Sequence, residues 1–309
     1  MGRQAIRMKK ILLLGANGQV GWELQRSLSP LGSLVVCDRL QGDLRDLSGL
    51  KKLVHREKPD IIVNAGAYTA VDKAESDIAS ARLVNAEAPS ILARAARELN
   101  AWLLHYSTDY VFNGSGDKPI AEDAPTSPLN IYGLTKLEGE NAIRDSGCQH
   151  LIFRTSWVYA ARGANFAKTM LRLAKEREEL RVISDQHGAP TSAELIADVT
   201  ALTLQHLTCD AELRARACGI YNLVASGETS WHEYAKLVIG EAIRLGANLR
   251  TTSERIIPIT SEEYSLPAKR PANSRLNNDK LQQTFGLALP QWQYHVKRMI
   301  KELIEQGTA

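Results

Sequence analysis

Lys9-Lys-Ile-Leu-Leu-Leu-Gly15-Ala-Asn-Gly18-Gln-Val-Gly21 is the stretch that decides the fold. Four aliphatic residues, Ile11 to Leu14, read as a short strand buried on both faces, as in a parallel sheet. Val20 to Leu28 then reads as a helix. A strand turning tightly into a helix presents unpaired N–H groups and the positive end of the helix dipole, a site for a pyrophosphate. Gly15 makes the turn in this reading. Gly18 lets the backbone approach the phosphates, and Gly21 lets the helix pack closely on the strand. The spacing is G-x-x-G-x-x-G rather than the commoner G-x-G-x-x-G.

Working outward, Ser33-Leu-Val-Val-Cys37 is a second strand ending in Asp38, 23 positions beyond Gly15 (38 − 15). An acidic residue at about that distance binds the ribose hydroxyls of NAD. Arg39 follows and suits a 2′-phosphate, so the sequence leaves NADH and NADPH both open. Asp38 also reads as an ordinary turn residue. Leu47 to Lys58 carries a helical stripe, and Ile61-Ile-Val63 is a third buried strand ending in Asn64-Ala-Gly-Ala67. Small residues there either admit a nucleotide or simply permit close packing. An alanine-rich helical stretch runs to about Asn100. Trp102 to Tyr106 is the fourth strand, followed by Ser107-Thr108-Asp109. A loop over Asn113–Asn130 precedes a helix opened by Tyr132-Gly-Leu-Thr-Lys136, and His150 to Arg154 is the fifth strand. Such alternation predicts an α/β fold, a doubly wound parallel sheet of Rossmann type. A second, smaller α/β substrate domain follows. Residues 8–155 are read as mainly the dinucleotide-binding domain and 156–309 as mainly the substrate-binding domain, with a segment near 219–245 returning to the sheet. Later helices are expected at Phe166–Arg177, Glu194–Leu207, Ser230–Leu245 and Leu289–Glu305, with Ser230 and Glu233 forming a capping box.

The 309 residues carry a net charge of +3 with dispersed basic residues, which argues for neither nucleic acid nor a membrane surface. No apolar run approaches the ~20 residues needed to span a bilayer. No leader pattern is visible, so a cytoplasmic protein is expected. Met1 to Arg7 are set aside as a remnant or a longer start. Cys37, Cys148, Cys209 and Cys218 have no zinc spacing and read as free, mostly buried thiols.

Tyr132 and Lys136 stand four apart, on one face of a helix. A lysine ammonium beside a phenol lowers its pKa and makes it a usable proton donor. The same pair also reads as an ordinary surface contact.

Together these pieces resemble the extended short-chain dehydrogenase/reductase superfamily. Finer wording is similar to the dTDP-4-dehydrorhamnose reductase family: Gly15 to Gly21, Tyr68-Thr-Ala-Val-Asp-Lys-Ala-Glu75, Ser107-Thr-Asp-Tyr-Val-Phe112, Pro128-Leu-Asn-Ile-Tyr-Gly133, Phe153-Arg-Thr-Ser-Trp-Val-Tyr159, Gly188-Ala-Pro-Thr191 and Arg270-Pro-Ala-Asn-Ser274. The likeness covers nearly the whole chain from Met8. It implies NAD(P)H-dependent reduction of the 4-keto group of dTDP-4-dehydro-L-rhamnose to dTDP-L-rhamnose, a precursor of bacterial surface polysaccharide such as O-antigen.

The resemblance also implies roles. Gly18, Gln19 and Val20 would hold the pyrophosphate, Asp38 the ribose, and Asp43 with Leu44 would flank the adenine. Ala67, Tyr68, Thr69 and Tyr106 would lie along the cofactor. Thr108, with Asp109 beside it, would meet the sugar carbonyl, and Trp157 would pack on the sugar. Tyr132, Lys136 and Thr108 would be catalytic. Glu23, Glu194 and Glu302 would hold a magnesium ion bridging a homodimer, or are three solvated glutamates. The family often has Ala where this chain has Gly66. Two rivals on the same scaffold are a non-catalytic partner subunit, like the regulatory β subunit of methionine adenosyltransferase, and a nucleotide-sugar epimerase or dehydratase. Intact Tyr132, Lys136 and Thr108 argue against the first.

Overall fold

The computed structural model describes residues 9–307. Met1 to Arg7 and Met8 lie outside the described residues. Five strands follow in order: β1 (Lys9–Leu14), β2 (Gly32–Cys37), β3 (Ile61–Asn64), β4 (Trp102–Thr108) and β5 (Gln149–Thr155). A sixth strand, Gly219–Asn222, comes from the second half of the chain and pairs with β5. The sheet runs β2-β1-β3-β4-β5 and then this sixth strand, all parallel.

Alternation along the strands divides the core. Ile11, Leu13, Ile61, Val63, Leu104 and Phe153 belong to one hydrophobic cluster, while Leu12, Leu14, Ile62, Leu103 and Ile152 belong to another. A sheet covered on both faces needs strands apolar at every position, which is why Ile11 to Leu14 show no polar alternation. Helices α1 (Gln19–Leu28) and Ala193–Cys209 cover one face and pack on each other. The other face is covered by α2 (Leu47–Glu57), Ala88–Leu99 and Ile131–Ser146.

The alanine-rich stretch is not one regular helix. It begins with the turns Val71–Ala74 and Ile78–Arg82, widens into a π-turn at Leu83–Glu87, and continues as Ala88–Leu99. That π-turn brings buried Asn85 to bear on its neighbours: Asn85 accepts from the Tyr68 N–H and donates to the Tyr68 carbonyl and to Thr135 Oγ1.

Beyond β5, helices Phe166–Glu176, Trp231–Arg244 and Trp292–Glu305 form a second layer with the parallel pair Leu180–Ile183 and Ile256–Ile259. Within 219–245, then, Gly219–Asn222 joins the main sheet, whereas Trp231–Arg244 packs on the helices of the second layer. Two details differ from the sequence reading. Ser230 caps its helix by accepting from Glu233 N, but the Glu233 carboxylate turns outward to His232 and Lys236, so the box is half formed. Cys37 and Cys148 are buried, but Cys209 and Cys218 are exposed, because both sit where a helix or loop ends at the surface.

Candidate active site

Strand order reverses between β1 and β3, and there an open α/β sheet presents its crevice. Gly15 takes φ +79°, and a Cβ on it would lie 2.5 Å from the Gly66 nitrogen. The turns after β1 and β3 are thus pressed together, and only glycine fits. At Gly21 an added Cβ would lie 2.1 Å from the Gly15 oxygen, so α1 closes directly on the turn that feeds it. Gly18 is the N-cap of α1, and Trp22 N to Gly18 O is the first helical hydrogen bond. The amides of Gln19 and Val20, both in the cleft lining, precede it at a helix end without acidic residues, which fits an anionic pyrophosphate.

A cleft of about 860 Å³ extends from this turn along the carboxyl ends of the strands. Gly15, Gly18, Gln19 and Val20 line one end, with Asp38, Arg39, Asp43 and Leu44 beyond β2. Asp38 accepts from Asn17 Nδ2 at 3.3 Å and from Leu40 N at 2.8 Å, while Arg39 is largely exposed, 3.7 Å from Asp43. Leu44 fills the space a methyl on Gly66 would occupy, 2.6 Å from its Cδ1. The absent methyl therefore leaves no hole. Ala67, Tyr68 and Thr69 line the middle, and Tyr106 lies nearby with its hydroxyl 2.7 Å from Thr200 Oγ1.

Thr108, Asp109, Tyr132, Lys136 and Trp157 line the other end. Tyr132 and Lys136 stand in the first turns of Ile131–Ser146. Asn130 caps that helix by accepting from Gly133 N at 2.8 Å, and Glu75 accepts from Ile131 N at 2.8 Å. Gly133 lets the helix approach the end of β4, since a Cβ there would lie 2.1 Å from the Tyr110 oxygen. Further along, Glu140 is held by Arg154 of β5 at 2.6 Å, a buried pair whose disruption costs about 3–5 kcal/mol.

This packing brings the Tyr132 and Thr108 side chains together at one end of the cleft. Thr108 Oγ1 also donates to Asp109 Oδ1 at 3.1 Å and accepts from Tyr110 N. Burial pushes the Tyr132 phenol up to about 12, and the Thr108 hydrogen bond pulls against that rise. Burial also raises Asp109 to about 6 against hydrogen bonds from Ser274 and Thr108.

Lys136 does not sit against the phenol as its spacing suggested. Its Nζ meets the Tyr106 carbonyl at 2.5 Å and His105 Nε2 at 3.1 Å. Residues four apart share a helix face, but a long side chain follows its hydrogen-bond partners, and here those are on β4. Burial lowers Lys136 to about 8.

Trp157 adopts φ +48° and stacks on Trp231 with centroids 3.6 Å apart. Gly188 makes room for the indole, since a Cβ would lie 2.8 Å from it. Trp231 lines the cleft and went unseen in the sequence, because it lies 74 positions from Trp157 (231 − 157) and no spacing rule links them. Ser107 and Thr155 also line the cleft, with buried hydroxyls that lack hydrogen-bond partners, as does Asp109 Oδ2. Buried polar atoms left open toward a cleft suit a polar ligand.

Glu23, Glu194 and Glu302 lie outside the cleft lining. Glu23 is 3.6 Å from Arg26, Glu194 is 3.2 Å from Arg298, and Glu302 accepts from Gln306. Burial raises Glu23, and the charge of Glu194 raises it further. Among the described residues no group of three or more His, Cys, Asp or Glu could hold a metal ion. One chain alone thus does not fit a magnesium ion. No helix of the described residues is long and apolar enough to cross a membrane.

The sheet order and the cleft together are those of a nucleotide-dependent short-chain dehydrogenase/reductase. The family model described as the RmlD substrate binding domain matches residues 8–305. A dTDP-4-dehydrorhamnose reductase from Shigella flexneri is 55% identical, covering 95% of this chain and 97% of the relative. One from Salmonella typhimurium is 53% identical over 96% and 99%. The crystal structure of dTDP-4-dehydrorhamnose reductase from Bacillus anthracis, in complex with NADP, superimposes with a TM-score of 0.85 at 33% identity, over 96% of this chain and 99% of that one. The chain belongs to the dTDP-4-dehydrorhamnose reductase family.

Proposed function

We propose that this chain reduces the C4 keto group of dTDP-4-dehydro-β-L-rhamnose to give dTDP-L-rhamnose, the last step in making that sugar nucleotide, with NADPH or NADH as reductant. The observation that carries the reading is the meeting of Tyr132 and Thr108 at one end of a cleft whose other end is the open N-terminus of α1. Family membership at 55% identity over nearly the full length supports the substrate.

The backbone of Gly18, Gln19 and Val20 binds the pyrophosphate, and Asp38 with Arg39 meets the adenosine ribose. Asp43 and Leu44 flank the adenine, while Ala67, Tyr68, Thr69 and Tyr106 lie along the cofactor. When bound, NAD(P)H supplies the hydride that reaches C4. Negative charge then grows on the carbonyl oxygen, and Tyr132 gives it a proton. Thr108 turns its one O–H from Asp109 to donate a second hydrogen bond to the same oxygen. A phenol raised to about 12 holds its proton firmly. Lys136 has to swing from Tyr106 toward the cofactor to lower that value, and there it holds the nicotinamide ribose. Asp109 accepts from sugar hydroxyls, and Trp157 covers the apolar sugar face.

Net consumption of NAD(P)H with the 4-keto sugar nucleotide is the expected result. Turnover without net consumption would indicate an epimerase or dehydratase, and no turnover a binding subunit. A magnesium-bridged homodimer through Glu23, Glu194 and Glu302 is a secondary proposal. Its support is the charge contact between Glu23 and Glu194, and it requires carboxylates from a second copy.

A further inference from the structure

Lys136 and His105 are each only 1% exposed, and neither the fold nor a surface role explains a histidine placed against this lysine. His105 Nε2 lies 3.1 Å from Lys136 Nζ, and Nδ1 lies 3.1 Å from Asn64 Nδ2. Asn64 Oδ1 in turn accepts from Gly66 N at 3.2 Å. An unbroken chain of contacts therefore runs from the turn after β3, which lines the cofactor cleft, to the lysine.

Proton positions follow from that chain. The Gly66 N–H identifies the Asn64 oxygen, so the Asn64 amide nitrogen donates to His105 Nδ1. An imidazole accepting at Nδ1 carries its proton on Nε2, aimed at Lys136. An ammonium has only donors and opposes that N–H, whereas a neutral amine accepts from it. The Tyr106 carbonyl takes a hydrogen from either form.

We propose that His105, oriented by Asn64, is a positioning residue that parks Lys136 as a neutral amine against the Tyr106 carbonyl until the cofactor arrives. Uptake of one solvent proton converts Lys–NH2 to Lys–NH3+. The ammonium then faces the His105 N–H donor to donor and leaves for the cleft, where the cofactor and the phenol accept it. This rests on Lys136 being the site lysine.

The surroundings agree. Burial holds His105 well below its usual value, so its ring is neutral, and it brings Lys136 to about 8. On the lysine's own helix, Glu140 opposes that fall but is itself committed to Arg154 of β5. Tyr132 on that helix, Asp109 after β4 and Tyr68 after β3 share the cleft.

The test is calorimetric titration with NADPH near pH 8 in buffers of different ionisation heat, together with the pH profile of kcat/KM. Wild type should take up part of a proton per site. His105→Leu keeps the buried volume and removes the N–H, so Lys136 should titrate about one pH unit higher, a tenfold gain in proton affinity. Proton uptake should fall and the alkaline limb should move up. Asn64→Leu frees the ring to change tautomer and should shift the limb the same way. His105→Gln returns an amide N–H near Nε2 and should restore the wild-type limb, and it serves if the leucine variant does not fold. A folded His105→Leu with unchanged uptake and limb overturns the proposal. If Lys136→Met instead binds NADPH and turns over like wild type, the site reading fails rather than the role of His105.

Discussion

Thr108 closes β4 and Tyr132 opens the helix that leads to β5, yet their side chains meet at one end of the cleft. Two things make the contact. The Asn130 cap and the Glu75 carboxylate fix where the helix starts, and Gly133 allows it within van der Waals range of the Tyr110 backbone. Two hydroxyl-bearing side chains from distant segments are thereby held at one end of the cleft, the arrangement that the proposed reduction needs beside a carbonyl oxygen.

Tyr132→Phe keeps the ring, including its edge contact with Tyr110 at 5.7 Å, and removes only the hydroxyl. NADPH affinity should survive while kcat falls by ~10²–10⁴, the usual worth of general acid–base help. Thr108→Val should cost less. Near-normal turnover in Tyr132→Phe would show that the proton comes from elsewhere.

Asp109 carries a pH signature. Its carboxyl is raised to about 6 in the folded protein, so the fold holds that proton more tightly than the unfolded chain does. The stabilising contribution is fully present below the unfolded carboxylate range and is lost as pH rises through about 6. Asp109→Asn removes the buried charge, so it should raise stability at pH 8 by about 2–3 kcal/mol and give no advantage near pH 4. Urea melts at the two pH values measure this. Equal differences at both would refute the assignment. Use of the sugar nucleotide should fall in the same variant.

Cofactor choice depends on Asp38 and Arg39. The Asp38 carboxylate is turned toward Asn17 and Leu40, and Arg39 stands largely free at the rim, so neither dominates. NADH and NADPH should give kcat/KM values within ~100-fold, about 2.7 kcal/mol. Asp38→Ala should move the balance toward NADPH, and an unchanged ratio would remove Asp38 from the ribose site.

Trp157 faces the cleft on one side and Trp231 on the other. Trp157→Ala should raise KM for the sugar nucleotide about tenfold and leave NADPH affinity as it was, with a loss of roughly 1 kcal/mol from the lost stack. Collapse of the fold, seen as a large drop in Tm, would mean that the indole serves the core instead.

Assembly is checked by sedimentation with and without EDTA. A metal-bridged dimer should fall to monomer when the chelator is added, since the carboxylates of the two copies would lose the ion that holds them together. An unchanged mass argues that any dimer is held by other contacts.

Local rules carried much of this protein. Gly15, Gly18 and Gly21 after four aliphatic residues announced the first strand, turn and helix, because backbone conformation and burial on both sheet faces depend on residues close in sequence. The helix at Tyr132 was equally legible from its periodicity. Side-chain partners were not. Tyr132 and Lys136 share a face, but Lys136 goes to the Tyr106 carbonyl and His105, since a buried amine follows the nearest polar partners across the interface rather than its helical neighbour. Asn85 reaches Tyr68 only because a π-turn rotates it inward. Trp231 meets Trp157, and Arg270 grips Asp72 at 2.7 and 3.0 Å, across separations that no periodicity encodes. The sequence by itself determined the parallel sheet, the glycine turn after its first strand and the helix that carries Tyr132 and Lys136. Only tertiary packing decided which of them touch, because a hydrogen bond is won by geometry over a few ångströms and that geometry exists only once distant segments are brought together.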